Sequence, residues 1–144
     1  PELESVIWPP VPLFENRDLI QQPVNMETLT PKYTNKTLEL LDELSTSEKP
    51  FFMYVGYEEA HVPLFASPEF QGISRRGAYG DTVTQMDASI GKILNKLRET
   101  GLDENTYVIF SSDNGAWIDP GTGLGNLTSK PLEGGSNAPF RGGK

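Results

Sequence analysis

The chain of 144 residues contains no cysteine, which excludes disulfides, thiolate nucleophiles and Cys-ligated zinc or iron–sulfur clusters within it. Basic residues are scarce as well, with 12 Lys and Arg against 20 Asp and Glu and a formal charge of −8. A surface that neutralises phosphates needs the opposite balance, so no nucleic acid partner is expected. No apolar run approaches the roughly 20 residues that span a bilayer. The opening Pro1-Glu2-Leu3-Glu4 also lacks the basic and then apolar segments of a signal peptide. No transmembrane segment is therefore expected. The first residue is not methionine and Arg141-Gly142-Gly143-Lys144 carries no obvious stop signal, so both ends read as cuts in a longer polypeptide.

What is present is an uneven mixture. Apolar residues make up 36%, and the 12 prolines and 14 glycines point to structured stretches joined by long ordered loops. Pro1, Pro9, Pro10, Pro12 and Pro23 each remove a backbone donor, so residues 1–25 read as an extended surface arm. A helix is expected from Thr30 as N-cap and Pro31 at the first helical position. Tyr33, Leu40, Leu41 and Leu44 form its apolar face, and it ends between Ser45 and Pro50. Residues 51–57 are a nearly continuous aromatic and β-branched run, the pattern of a strand buried on both faces. From about Asp81 to Thr100, Val83, Met86, Ile90, Ile93, Leu94 and Leu97 recur at helical spacing, with Gly101 placed for a left-handed C-terminus. Residues 106–111 read as a second buried strand, and the Gly-rich remainder to Lys144 as loop. Strand, helix, strand is a βαβ unit with a right-handed crossover. Ligands in such sheets bind outside the strands' carboxyl ends, so the loops starting at Glu58 and Ser112 are expected to face one crevice.

Three spots in those loops could carry chemistry. His61 is the only histidine. An imidazole beyond a strand's carboxyl end could donate a proton near neutral pH or bind an anion, although a lone histidine is more often a hydrogen-bonded structural residue. Asp113-Asn114-Gly115 offers adjacent hard oxygen ligands of the kind Ca²⁺ and Mg²⁺ prefer. Asn114-Gly115 is also a strong hairpin signal, weakened here because residues 116–144 hold no alternating apolar strand to pair back. Lys144, after a run of glycines, could neutralise an oxyanion; by composition alone it reads as solvent-exposed. The acidic pairs Glu58-Glu59 and Asp103-Glu104 read as solvated.

Taken together, the segments resemble the sulfatase family, within it the branch of arylsulfatase A and N-acetylgalactosamine-6-sulfatase. The residues that carry the likeness are Pro50-Phe51-Phe52-Met53-Tyr54, His61-Val62-Pro63-Leu64-Phe65-Ala66-Ser67, and Arg76-Gly77-Ala78-Tyr79-Gly80-Asp81 with Met86-Asp87 and Ile90-Gly91. Ile109-Phe110-Ser111-Ser112-Asp113-Asn114-Gly115-Ala116 and Gly134-Gly135-Ser136-Asn137-Ala138-Pro139-Phe140 to Lys144 complete it. Residues 50–144 read as part of the catalytic domain, and residues 1–49, the Pro-rich arm and first helix, match only loosely. The resemblance implies an α/β fold, a mixed sheet sandwiched by helices as in the alkaline phosphatase superfamily. It implies a sulfate ester substrate, Ca²⁺ bound in part by Asp113 and Asn114, and His61 and Lys144 contacting the sulfate group or its leaving oxygen. The family's nucleophile is a formylglycine made from a Cys/Ser-x-Pro-Ser-Arg motif, and its other calcium ligands include tandem aspartates. Neither motif occurs here, so the resemblance implies half a site, completed by the remainder of the sulfatase chain.

Asn35-Lys36-Thr37 and Asn126-Leu127-Thr128 are acceptor sequons for glycosylation, consistent with a lysosomal, secretory-pathway or extracellular protein. The loop from Trp117 to Glu133 looks longer than in the enzymes named above, so substrate identity does not carry over. Two other functions remain open: a two-metal phosphatase or phosphodiesterase of the same superfamily, and a non-catalytic binding domain on that fold. The phosphatases tend to place a histidine beside the aspartate for zinc, where this chain has Asn114.

Overall fold

A computed structural model describes residues 10–116 and 138–141. The element order is β1 (Leu13–Glu15), β2 (Asp18–Gln21), α1 (Leu29–Ser45) and α2 (Gly77–Glu99), with short 3₁₀ turns at Met26–Thr28, Pro68–Phe70 and Leu102–Asn105.

Part of the stretch expected as an extended arm instead folds back on itself. β1 and β2 pair antiparallel, with Phe14 opposite Leu19 and Glu15 opposite Asp18. The two-residue turn between them is made possible by Asn16, whose φ of 55° lies in the left-handed region that asparagine tolerates. Leu13 is buried, and Lys36 on α1 lies 2.7 Å from Glu15, tying the hairpin to the helix.

α1 starts at Leu29, one turn of 3₁₀ helix after Asn25, whose side chain accepts from the Glu27 amide at 3.1 Å. Thr30 is therefore not the N-cap. It lies inside the first helical turn and is buried, and Pro31 sits beside it where a missing amide hydrogen costs little. α2 begins four residues before the expected Asp81, because both Asp81 oxygens accept backbone amides of the preceding loop, Gly72 and Ser74, at 2.8 Å each. Gly80 makes this turn tight, since a Cβ there would stand 2.8 Å from the Cβ atoms of both Ser74 and Arg76. Gly101 ends the helix in the left-handed conformation, φ 71°, as expected.

α1 and α2 pack against each other, and the seam between them is unusual in chemistry. Buried apolar side chains are few: Leu13, Leu29, Leu41, Ala66 and Leu97. Around them lie buried Thr30, Thr34 and Thr37 of α1 and Thr82, Gln85 and Ser89 of α2. Each set recurs at three- or four-residue spacing, so the inward stripe of each helix is polar. Of the apolar face expected for α1, Leu41 is buried while Leu40 is exposed.

Residues 51–57 alternate between half-buried and exposed, one by one, which is the two-residue period of an extended strand. They carry no sheet ladder, nor do residues 106–111; the sheet among the described residues is the β1–β2 pair. The expected crossover thus supplies strand-like segments whose sheet neighbours are not among the described residues. Large apolar side chains stand bare as a result, with Phe52 92%, Tyr107 99% and Ile109 88% exposed. Each leaves about 1.5–3 kcal/mol of burial unrealised. The 144-residue chain expressed alone is therefore expected to melt broadly, bind a hydrophobic dye and associate, and Ile109→Asp is expected to reduce that association. A sharp cooperative calorimetric transition without dye binding would contradict this.

Candidate active site

The loop of residues 57–67 leaves the strand-like segment and crosses the polar seam. Its first anchor is Tyr57, whose hydroxyl is 2.7 Å from Ser89 Oγ, itself 2.6 Å from Thr34 Oγ1. Thr34 donates its single hydroxyl hydrogen to the Thr30 carbonyl at 2.7 Å. Ser89 must then donate to Thr34, and Tyr57 to Ser89, so the direction of the chain is fixed. Burial first, then Glu59 and Glu58, push the Tyr57 pKa up against the lowering effect of the Ser89 bond, which keeps this phenol protonated as a donor.

The second anchor is Glu59. Its Oε1 accepts from Thr30 Oγ1 and, at 3.3 Å, from Gln85 Nε2, while Oε2 is buried without a protein partner. Gln85 turns its other end, Oε1, to the Ser67 amide at 2.6 Å. Only one orientation of the Gln85 amide serves a carboxylate and an N–H at once, so its assignment is determined by its neighbours. The acidic pair expected as solvated is thus drawn into the structure. Glu58 is half-buried, and burial, with a smaller effect of Glu59, raises its carboxyl above the usual range against a lowering backbone hydrogen bond.

His61 lies exposed on this loop, its amide donating to the Glu58 carbonyl at 2.9 Å. Its Nδ1 is 2.6 Å from the Val62 carbonyl. A carbonyl only accepts, so Nδ1 carries the hydrogen and Nε2 is left to face outward chemistry. A small cleft of about 10 Å³ lies beside it, lined by Thr30, Glu58, Glu59, His61 and Thr82 among others, room for about one water.

The second loop follows residues 106–111. Asp113 and Asn114 are exposed there, with Asn114 Nδ2 donating to Asp113 Oδ2 at 2.6 Å and Ser112 Oγ to the Asn114 carbonyl at 2.7 Å. These bonds stay within the loop, and the structure records no hydrogen bond from it to His61. Lys144 and Asn126 lie outside the described residues, and Asn35 is exposed on α1. Glu59, Gln85, Thr30 and Ser89 escape a search for apolar periodicity. The signal that finds them is the helical spacing of hydroxyl and amide residues at 30, 34, 37 and 82, 85, 89.

The Glu58 shift gives a signed pH dependence. A carboxyl whose folded pKa is raised contributes stability that is fully present below its unfolded pKa and is lost as pH rises through the folded value. Tyr33, Tyr57 and Glu59 face it, and none supplies a positive charge. In the full-length protein Glu58→Gln is expected to raise the melting temperature at neutral pH, with the gain vanishing as pH falls below the ordinary glutamate range. A melting series against pH checks this, and a gain that grows on acidification would refute it.

Comparison with known proteins places these residues in a family. The sulfatase family model matches residues 6–144, reaching well into the Pro-rich segment. N-acetylgalactosamine-6-sulfatase of Mus musculus is 39% identical over 145 residues, covering 94% of this chain and 26% of that protein. Human steryl-sulfatase is 36% identical over 132 residues, covering 92% of the chain and 21% of that protein. Arylsulfatase G of Mus musculus is 37% identical over 107 residues, covering 74% and 20%. A solved structure described for the metabolism of multiple glycosaminoglycans by Bacteroides thetaiotaomicron aligns with TM-score 0.60 and 39% identity, over 64% of this chain and 19% of that one. The chain spans about a quarter of the length of the first of these relatives, and by the extent of the match it belongs to the sulfatase family.

Proposed function

We propose that this chain supplies part of the active site of a sulfuric ester hydrolase, with His61 and Lys144 serving the sulfate group and its leaving oxygen, and Asp113 and Asn114 serving a calcium ion. The observation that carries the reading is the match of residues 6–144 to the sulfatase family model. Chemistry supports it. Nδ1 of His61 is committed to the Val62 carbonyl, so a protonated Nε2 is free to donate to a departing oxygen. Nothing acidic is bonded to the imidazole to divert that proton among the described residues. Lys144 would add a fixed positive charge against a sulfate oxygen.

The donor set at the second loop fits calcium. The Asn114 amide nitrogen is turned to Asp113 Oδ2, which leaves an Oδ1 on each side chain outside that bond, and both are hard oxygen ligands. Bound there, the ion would supply positive charge against the sulfate oxygens. Two ligands fall short of the six to eight that Ca²⁺ takes, and no group of three His, Asp or Glu side chains among the described residues could hold a metal ion. The remaining ligands and the formylglycine nucleophile are assigned to the rest of the enzyme. Asn114 beside Asp113, rather than histidine, favours this over a zinc phosphatase.

Among the described residues no helix is long and apolar enough to cross a membrane. Exposed Asn35 and the second sequon at Asn126 support a glycoprotein of the lysosome or secretory pathway.

In the full-length enzyme, Asp113→Ala is expected to weaken calcium binding by about 10- to 100-fold or more and to lower aryl sulfate hydrolysis with it. His61→Ala is expected to keep calcium affinity and to slow turnover by about 10²- to 10⁴-fold. Calcium titration beside an aryl sulfate assay separates the two. Equal calcium affinity in wild type and Asp113→Ala would remove Asp113 from the ligand set, and zinc in the purified enzyme would favour the phosphatase.

A further inference from the structure

Gln85 is 3% exposed, in the middle of α2, and both ends of its amide are occupied. Such a residue in a helix interior is costly unless both bonds are made. Both go to one loop: Nε2 to Glu59, two residues before His61, and Oε1 to the Ser67 amide, six residues after it. One rigid side chain therefore grips the two limbs of the loop that carries His61. Each of the other anchors holds the loop at one limb only: Thr30 at Glu59, Tyr57 at the entry, and Gln71 at the Ala66 carbonyl near the exit. We propose that Gln85 is the positioning residue for His61, setting the imidazole by clamping both limbs of its loop to α2. The inference rests on the catalytic reading of His61 and adds what holds it in place.

The clamp has a donor and an acceptor end, which allows a test by exchange. In Gln85→Glu the new carboxylate faces Glu59, and of its two donors only Thr30 remains. The reciprocal pair, Gln85→Glu with Glu59→Gln, restores both bonds of the clamp: position 85 accepts from the Ser67 amide and from the new amide nitrogen at 59, which stands where Oε1 stood and also donates to the Thr30 hydroxyl, now an acceptor. A misplacement of about 1 Å costs about 10²-fold in rate. In the full-length enzyme with 4-nitrophenyl sulfate as probe, Gln85→Glu is expected to lower kcat about 10²-fold with KM little changed, and the reciprocal pair to recover most of that loss. Ser67→Pro supplies a second route. It deletes the amide hydrogen held by Gln85 together with the Ser67 hydroxyl, which makes no hydrogen bond, at a φ of −63° that proline adopts, and it too is expected to lower kcat rather than raise KM.

His61→Ala is measured in parallel. Full turnover in His61→Ala overturns the catalytic reading of His61. A slow His61→Ala beside wild-type kcat in Gln85→Glu or Ser67→Pro overturns the positioning role alone. So does a reciprocal pair that regains the wild-type melting temperature without regaining kcat, because a merely structural residue would show that pattern. If Gln85→Glu fails to fold, the reciprocal pair decides: folded and active supports the clamp, and misfolded or inactive overturns it.

Discussion

The polar seam between α1, α2 and the loop of residues 57–67 is the constraint on which the described structure depends. Buried hydroxyl and amide groups that lose their partners cost about 1–3 kcal/mol each, so the seam is stable only as a connected set. Tyr57, Ser89 and Thr34 form one chain of bonds, and Thr30, Glu59, Gln85 and Ser67 form another. Apolar contacts would hold the helices together in several registers. Directional bonds between named donors and acceptors specify one, and the loop is fixed by the same bonds. The catalytic reading of His61 therefore depends on helix interiors that carry no chemistry themselves.

That arrangement explains what the amino-acid sequence reveals and what it conceals. α2 was legible because Val83, Met86, Ile90, Ile93, Leu94 and Leu97 repeat at helical spacing, and Gly101 marks its end through backbone sterics alone. α1 was legible to within two residues at its start, but its buried stripe is threonine at 30, 34 and 37 between Leu29 and Leu41, and apolar periodicity does not register threonine. The hairpin of β1 and β2 hid among prolines because its signal is a single left-handed asparagine, Asn16. Residues 51–57 and 106–111 read as buried strands from their apolar content, yet they stand without ladders, since pairing depends on neighbours that local pattern does not contain. Of the candidate site, His61 and the Asp113-Asn114 pair emerged from residue chemistry joined to family resemblance. Glu58 and Glu59 did not, because nothing local distinguishes a solvated acidic pair from one drawn between two helices.

The exposed apolar faces and the incomplete donor set have a common physical meaning. A strand-like segment with bare Phe52 and Tyr54 and a proposed calcium loop with two oxygen side chains both call for a complement outside the described residues. The chain covers 26% of the length of the mouse N-acetylgalactosamine-6-sulfatase it matches, a part of such a protein's length. The proposed division is also chemical: a proton donor at His61 and oxygen ligands at Asp113 and Asn114 on this chain, and the nucleophile elsewhere.

The central claim is that the His61 loop and the Asp113-Asn114 loop serve a single sulfate ester. A crystal structure of the full-length protein with calcium and inorganic sulfate tests it most directly. The account predicts anomalous calcium density bonded to Asp113 and Asn114 side-chain oxygens, with His61 Nε2 within about 3 Å of an oxygen of the same sulfate. Calcium held without Asp113, or a sulfate on the metal with His61 turned to a different part of the surface, would contradict it.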